Sequence, residues 1–410
     1  LYRVSIRFTM TYDEAVQWLY SAVPNFQRDG GSKNYKIGLE GPQELWSYLE
    51  NPSIDIPTIH VAGTNGKGST VHLMASGMRE MGLRVGVFSS PHLFDFRERA
   101  KIGTNKVPES FIIEFVTQHQ DFFTKGGYSF FELTLMLALL WFEHEKVDWI
   151  ILETGMGGRL DATNICRPEL TVITNIGLDH VQWLGNTRAA IAAEKAGIIK
   201  PGVPAVVVQK DSETQAIFER VAHDQKAPLF WASGFAFESD LGGDYQKYNI
   251  NGAATALDLL FPEYRSVWAL GFTRVAANTG LQGRWTIIDQ EPKTVCDTGH
   301  NGHAFSELVP QALRESEGTI HWVLGSAGDK DFRKVVELLP LEGSKFYWTG
   351  STSPRTAAPE VLGELAASMG RYGNHFPSVR DAWDAAKNNA KPKDLIFIGG
   401  STFVVADLAL

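Results

Sequence analysis

The stretch His60-Val61-Ala62-Gly63-Thr64-Asn65-Gly66-Lys67-Gly68-Ser69-Thr70 constrains this chain more than any other. A short apolar run, Ile54 to Ile59, precedes it and reads as a buried strand interrupted by Pro57. After it, Val71 to Met78 has apolar residues at helical spacing. Strand, glycine turn and helix start together build a phosphate cradle. Glycines let the backbone approach phosphate oxygens and turn its N–H groups inward. The helix N-terminus adds a partial positive charge. Lys67 is placed to reach β- and γ-phosphates, and the hydroxyl of Ser69 or Thr70 to approach Mg²⁺. The spacing departs from GxxxxGK[ST], because only two residues separate Gly63 from Gly66 and Gly68 lies between Lys67 and Ser69.

A chain of 410 residues has room for two or three domains and a large core. Its net charge of −9 argues against a nucleic-acid partner, which needs a basic surface, but leaves room for a local pocket that binds small anions. Two cysteines, Cys166 and Cys296, make neither a disulfide framework nor a metal cluster and suit a reducing cytoplasm. No apolar run approaches the roughly 20 residues of a membrane span. Leu1 to Thr9 lacks a signal-peptide pattern, and Met10 is expected to be the natural start.

Along the chain, apolar runs alternate with amphipathic segments. Tyr12 to Val23 has helical periodicity, and Gln27 to Lys33 is a polar, glycine-bearing loop. Strands are expected at Arg84–Phe88, Val147–Leu152, Leu170–Thr174 and Val203–Val208. Helices are expected at Phe111–Phe123, from Phe130 through Trp141, and at Thr187–Ala196 with Asn186 or Thr187 as N-cap and Gly197 as stop. This alternation predicts a parallel, doubly wound sheet and not a meander. The pattern restarts near Gly283. Strands at Thr294–Cys296, His321–Gly325, Phe346–Thr349 and Asp394–Gly400 form a second, smaller α/β unit of about 125 residues, within the usual domain range.

Open parallel sheets bind ligands beyond the carboxyl ends of their strands. Four polar features close such strands: the loop at Gly63, Ser90, Glu153, and Asp179-His180. If the strands are neighbours, these side chains converge on one rim. Glu153 ends a buried strand where a P-loop enzyme places a Mg²⁺-directed carboxylate, and Ser90 is a second hard oxygen donor. His180 is a less usual Mg²⁺ ligand. Taken singly, Arg99 reads as a solvated charge, Asp161 as a turn or cap residue, and Phe130 and Phe131 as core.

Together the motifs resemble one family. They are His60 to Thr70, Ser89 to Leu93, Glu98-Arg99, Phe131-Glu132-Leu133-Thr134, Glu153 to Asn164, Thr174-Asn175-Ile176 with Asp179-His180, Ala192 to Lys200, Gly283-Arg284 and Asp297 to Asn301. In this order they are similar to the folylpolyglutamate synthases, including the bacterial bifunctional dihydrofolate synthase/folylpolyglutamate synthases, of the Mur-ligase superfamily. The resemblance implies a P-loop NTPase-like, doubly wound, mostly parallel sheet domain over 10–282 that binds ATP and pterin. It also implies a smaller Rossmann-like α/β domain over 283–410 for glutamate and the ATP interface.

The resemblance carries roles to individual positions. Gly63, Thr64, Asn65, Gly66, Lys67, Gly68 and Ser69 would hold the ATP phosphates, with Lys67 neutralising charge. Ser90, Glu153 and His180, with Ser69 as a lesser ligand, would bind Mg²⁺, and two ions are expected. Lys195, on spacing alone a helix-end lysine, aligns with a lysine that is carbamylated in the superfamily. Ser129, Phe130, Phe131 and Glu132 with Leu160, Asp161 and Ala162 would contact the pterin, and the loop Phe26 to Tyr35 would help to shape that site. Asn249, Arg284 and Asp297 would hold ATP across the domain interface, with Asn251 as the competing candidate for the Asn249 role. His300 would lie near the γ-phosphate and the incoming amino acid.

The implied reaction is ATP-dependent amide formation, with catalytic roles for Lys67, His180, Lys195, Asp297 and His300. Dihydropteroate or folate and L-glutamate are the implied partners of a cytoplasmic monomer that binds neither nucleic acid nor membrane. The rival readings are another superfamily ligase, such as a muramyl-peptide ligase, and a nucleotide-binding module without turnover.

Overall fold

Strands buried on both faces need continuous apolar runs, and this chain supplies them in two sets. A computed structural model describes residues 10–21, 38–328 and 332–408. The loop expected at Gln27–Lys33, the pterin-site segment Phe26–Tyr35 and the start Leu1–Thr9 lie outside the described residues, as does the end of the helix expected to reach Val23; its described part is Tyr12–Ser21.

The first set is β1 (Thr58–Ala62), β2 (Val85–Phe88), β3 (Ala100–Ile102), β4 (Asn105–Lys106), β5 (Trp149–Glu153), β6 (Leu170–Ile173), β7 (Ala205–Val207) and β8 (Leu229–Trp231). These form one sheet in the order β4-β3-β2-β5-β1-β6-β7-β8. From β2 to β8 every pairing is parallel. The second set is β9 (Thr286–Gln290), β10 (Lys293–Asp297), β11 (Ile320–Leu324), β12 (Ser344–Thr349), β13 (Gly373–Phe376) and β14 (Leu395–Gly399). Its order is β13-β12-β11-β14-β10-β9.

Both sheets are mostly parallel, as expected, and each carries antiparallel strands at one edge. β3 and β4 run antiparallel beside β2, and β9 runs antiparallel beside β10. These short or half-exposed edge strands lack the apolar runs that mark their neighbours. The strand expected over Ile54–Ile59 begins only at Thr58. Ile54 is exposed, and Pro57 lacks an N–H for a ladder.

The helix Lys67–Glu80 lies under the first sheet and is buried along nearly its whole length. It packs against the helices Gln246–Leu260 and Arg265–Phe272. Gly77 makes this close approach possible, because a Cβ there would sit 2.9 Å from the Trp268 carbonyl oxygen. The helix Phe130–His144 begins with a reciprocal cap: Ser129 Oγ accepts the Glu132 N–H, and the Glu132 carboxylate accepts the Ser129 N–H. At the helix Arg188–Ala196, Thr187 is the N-cap of the two candidates. No helix among the described residues is long and apolar enough to cross a membrane.

Candidate active site

In the first sheet β2, β5, β1 and β6 are consecutive neighbours. Their carboxyl ends therefore bring Ser90, Glu153, the Gly63 loop and Asp179-His180 to one rim. The second sheet faces this rim with the ends of β10 and β14. Between them lies a cavity of about 350 Å³. Of the described site candidates, Gly63 to Ser69, Ser90, Ser129 to Glu132, Glu153, Leu160 to Ala162, His180, Lys195, Asn249, Arg284, Asp297 and His300 line it, whereas the alternatives Thr70 and Asn251 do not.

The loop after β1 is fixed from the end of β6. Thr64 N–H donates to the Asn175 carbonyl at 2.9 Å, and Asn65 N–H donates to Asn175 Oδ1 at 2.9 Å. Thr174 Oγ1 donates to the Asn65 carbonyl at 2.6 Å. Gly66 then turns the chain at φ +81°, in the left-handed region, with Asn249 Oδ1 closing the space where a Cβ would stand. Lys67 Nζ folds back on its own loop and donates to the Gly63 and Thr64 carbonyls at 3.0 and 3.2 Å. Ser69 lines the cavity and its hydroxyl accepts from Gln246 Nε2 at 3.3 Å, whereas Thr70 is wholly buried and does not line it.

Two charged groups are buried beside this loop. Glu153 is 4% exposed and accepts the Ser90 N–H at 3.2 Å. Burial pushes its carboxyl up, and the charges of Lys67, Arg284 and Arg99 pull it back down. Lys195 is 3% exposed, and its Nζ donates to the Gly63 carbonyl at 2.9 Å. Burial, reinforced by the charge of Lys67, lowers this amine to about 7 against the pull of Asp179 and Asp161.

Among the described residues no three or more His, Cys, Asp or Glu side chains gather as a ready-made metal cluster. The donors present are one buried carboxylate, Glu153, with the Ser90 and Ser69 hydroxyls and the His180 ring at neighbouring strand ends. A hard cation that keeps several of its waters suits this sparse oxygen set. His180 sits at φ +50°, and its N–H donates to Asp179 Oδ1 at 2.8 Å.

The second sheet contributes Asp297 at the end of β10. Asp297 Oδ2 accepts the Trp285 N–H at 2.8 Å and the Tyr245 hydroxyl at 2.5 Å, and Oδ1 accepts the Gly299 N–H at 2.7 Å. Burial raises the Asp297 carboxyl, and burial also holds the Tyr245 phenol well above its ordinary value. Arg284 donates to the Gly283 carbonyl and to the Thr298 hydroxyl. A Cβ on Gly68 would stand 3.3 Å from its Nη2, so its guanidinium reaches the phosphate loop. His300 Nδ1 donates to the Thr298 carbonyl at 3.1 Å, and Nε2 faces Asp179 Oδ2 at 3.5 Å.

The aromatic end of the cavity differs from the residue-by-residue reading. Arg99 is no solvated charge: it is 1% exposed, its Nε donates to His92 Nδ1 at 2.9 Å, and its guanidinium lies 5.0 Å over the Phe130 ring. Tyr20 also stacks on the Phe130 ring, with centroids 4.9 Å apart. Phe131 is half-buried against Phe88. Asp161 both caps a short turn and lines the cavity, accepting the Met156 N–H and the Thr163 N–H and hydroxyl. Ser129 and Glu132 line the wall while capping their helix. Asn251 is spent elsewhere, on the Phe235 N–H and the Lys247 carbonyl, and does not line the cavity.

Residue reasoning passed over Tyr245, Asn175 and Asn301 as individual site members and named Asp179 only together with His180. Tyr245, four residues before Asn249 on one helix face, was the legible one. The others are polar residues at strand ends whose partners are distant in sequence.

The Mur ligase middle domain family matches residues 61–257, and the Mur ligase, glutamate ligase domain family matches residues 283–402. The chain is 34% identical over 363 residues to the dihydrofolate synthase/folylpolyglutamate synthase of Escherichia coli, covering 84% of each chain. Its fold superposes on E. coli FolC in complex with DHPP and ADP with a TM-score of 0.83, at 28% identity, over 98% of each chain. A bifunctional folylpolyglutamate synthase/dihydrofolate synthase with Mn, AMPPNP and L-glutamate bound is equally similar, with a TM-score of 0.83 and 28% identity over 98% of this chain and 97% of that one.

Proposed function

The chain belongs to the Mur ligase family, in its dihydrofolate synthase/folylpolyglutamate synthase branch, and from that premise we propose how its residues join L-glutamate to a pterin-bearing carboxylate. The protein is an ATP-dependent amide ligase, and its phosphate donor is ATP with a divalent metal. The pterin carboxylate attacks the γ-phosphorus, ADP leaves, and an acyl phosphate forms. The glutamate α-amino group then attacks the acyl carbon, phosphate leaves, and the amine loses its proton. Such chemistry depends mainly on positioning and charge neutralisation.

One observation carries the reading. The phosphate loop, the buried Glu153, the second-sheet residues Arg284, Asp297 and His300, and the Phe130–Phe131 wall all line a single cavity. In this reading the loop N–H groups, Lys67 and Arg284 neutralise the phosphates. Asn249 and Asp297 hold the nucleotide from two sides. Phe130, Phe131 and Leu160 to Ala162 hold the pterin, and His300 faces the amino acid. Glu153, Ser90 and His180, with Ser69, would hold Mg²⁺, two ions in all, which supplies charge neutralisation at the transferring phosphoryl group. Residues 10–282 would form the ATP and pterin domain and residues 283–410 the glutamate domain. A monomer belongs to the same proposal, and a net charge of −9 supports the absence of a nucleic-acid partner. A cytoplasmic location is part of it too, supported by a chain with only two cysteines.

Carbamylation of Lys195 belongs to the same proposal. Only a neutral amine attacks CO₂, and burial keeps this one near 7 instead of lysine's usual 10.5. Incorporation of ¹³C-labelled CO₂ at Lys195 between pH 7 and 8 supports it; its absence there counts against it.

The function is tested by phosphate release with dihydropteroate and with a tetrahydrofolate monoglutamate, assayed side by side. Release that needs both L-glutamate and either pterin is expected, since both activities are proposed. Release with a UDP-sugar peptide, or ATP turnover independent of pterin, overturns the assignment.

A further inference from the structure

One amide joins the phosphate loop to the second sheet, and all of its bonding capacity is used. Asn301 caps the helix Gly302–Glu315, its Oδ1 accepting the Ala304 N–H at 2.9 Å. The same oxygen accepts from Asn65 Nδ2 at 3.1 Å, and Asn301 Nδ2 donates back to Asn65 Oδ1 at 3.0 Å. The second hydrogen of that amide goes to Asp179 Oδ2 at 3.1 Å, the oxygen that His300 Nε2 faces. A side-chain amide offers two donor hydrogens and two acceptor lone pairs, and at Asn301, which is 6% exposed, all four are engaged.

Asn65 is equally committed. Its N–H and carbonyl are held by Asn175 and Thr174, and its amide also reaches His303 Nδ1 at 3.2 Å. Its side chain is therefore aimed at the second sheet, although it stands in the middle of a phosphate loop. A reciprocal amide pair is satisfied in only one relative placement of its two partners.

We propose that the Asn65–Asn301 pair is a positioning device for glutamate transfer. It locks the second sheet, and with it His300, in register with the phosphate loop, so that the amino-acid side of the cavity is complete only when that loop is in place. The inference rests on the ligase reading above. Asn301 acts through its neighbours and is not itself a catalytic residue.

Asn301→Ser separates this role from a structural one, because serine still caps a helix but cannot complete the pair. Its thermal midpoint is expected to fall by the few degrees that two buried hydrogen bonds are worth, and its affinity for a non-hydrolysable ATP analogue to match the wild type. At saturating ATP, kcat/KM for glutamate is expected to fall about thirtyfold, the equivalent of two neutral hydrogen bonds. Asn65→Ser is expected to lose a similar factor, and the double variant to be no worse than the weaker single. Glutamate kinetics of Asn301→Ser within threefold of wild type, or losses that multiply in the double variant, overturn the proposal. If Asn301→Ser does not fold, Asn65→Ala, which leaves the helix capped, carries the same test against the same threshold. Wild-type turnover is measured alongside. A wild type without glutamate-dependent phosphate release removes the ligase reading, whereas release with unaffected variants removes only the pair.

Discussion

Gly66→Ala tests the geometry of the phosphate loop where it is tightest. Gly66 has φ +81°, and an added Cβ would stand 2.2 Å from Asn249 Oδ1. Two costs follow. A non-glycine residue in the left-handed region costs roughly 1–2 kcal/mol. The methyl group also forces the buried Asn249 amide aside and breaks its 2.8 Å bond to Gln246 Oε1, which costs about 1 kcal/mol. The sum, about 2–3 kcal/mol, corresponds to a fall in thermal midpoint of roughly 3–6 °C for a unit of this size. Asn249→Ala loses the same Gln246 bond without the backbone cost. The double variant therefore loses that bond only once, and it should be about 1 kcal/mol more stable than the sum of the singles predicts. Differential scanning fluorimetry of the four proteins, with and without an ATP analogue, measures the cycle. Additive losses, or a Gly66→Ala protein as stable as wild type, would refute the reasoning.

Lys67→Ala removes a cation from the phosphate loop, and losing one preorganised charge contact of this kind costs about 3 kcal/mol or more; a fall in kcat of at least about a hundredfold is expected, and near-wild-type turnover in a folded variant sinks the assignment. Glu153→Gln keeps the shape and removes a buried charge. Because burial raises the Glu153 carboxyl above its unfolded value, the folded chain holds that proton to higher pH, and ionising the group there costs stability. The glutamine variant should therefore be at least as heat-stable as wild type at pH 8 without metal, while losing metal-dependent turnover; a clear drop in its thermal midpoint would contradict this. Phe130→Ala and Phe131→Ala should differ. Phe130, 2% exposed and packed against both Tyr20 and Arg99, should cost about 3–5 kcal/mol of stability, whereas the half-buried Phe131 should mainly raise KM for the pterin. Equal melting shifts for the two variants would contradict the packing described.

The sequence alone settled more here than a single short motif usually permits. The His60–Thr70 stretch reads as a strand end, a glycine turn and a helix start, because a continuous apolar run and a period-3.6 pattern meet there with no room for another element. Glu153 was legible because an acid ending a fully apolar strand contradicts the burial around it, and such local contradictions mark sites. The strand runs were legible for the complementary reason, since residues buried on both faces must be apolar throughout.

Tertiary structure alone decided which strand ends are neighbours. Sheet order comes from long-range pairing, and no local pattern encodes that β5 inserts between β2 and β1. The same holds for Arg99, whose charge reads as solvated until Phe130, His92 and Tyr20 are seen around it, and for Lys195, whose amine is unusual only because it is buried beside Lys67. Asn65 and Asn301 stand 236 residues apart. Their pairing depends on two separate sheets closing on one cavity, so nothing in either neighbourhood could have announced it.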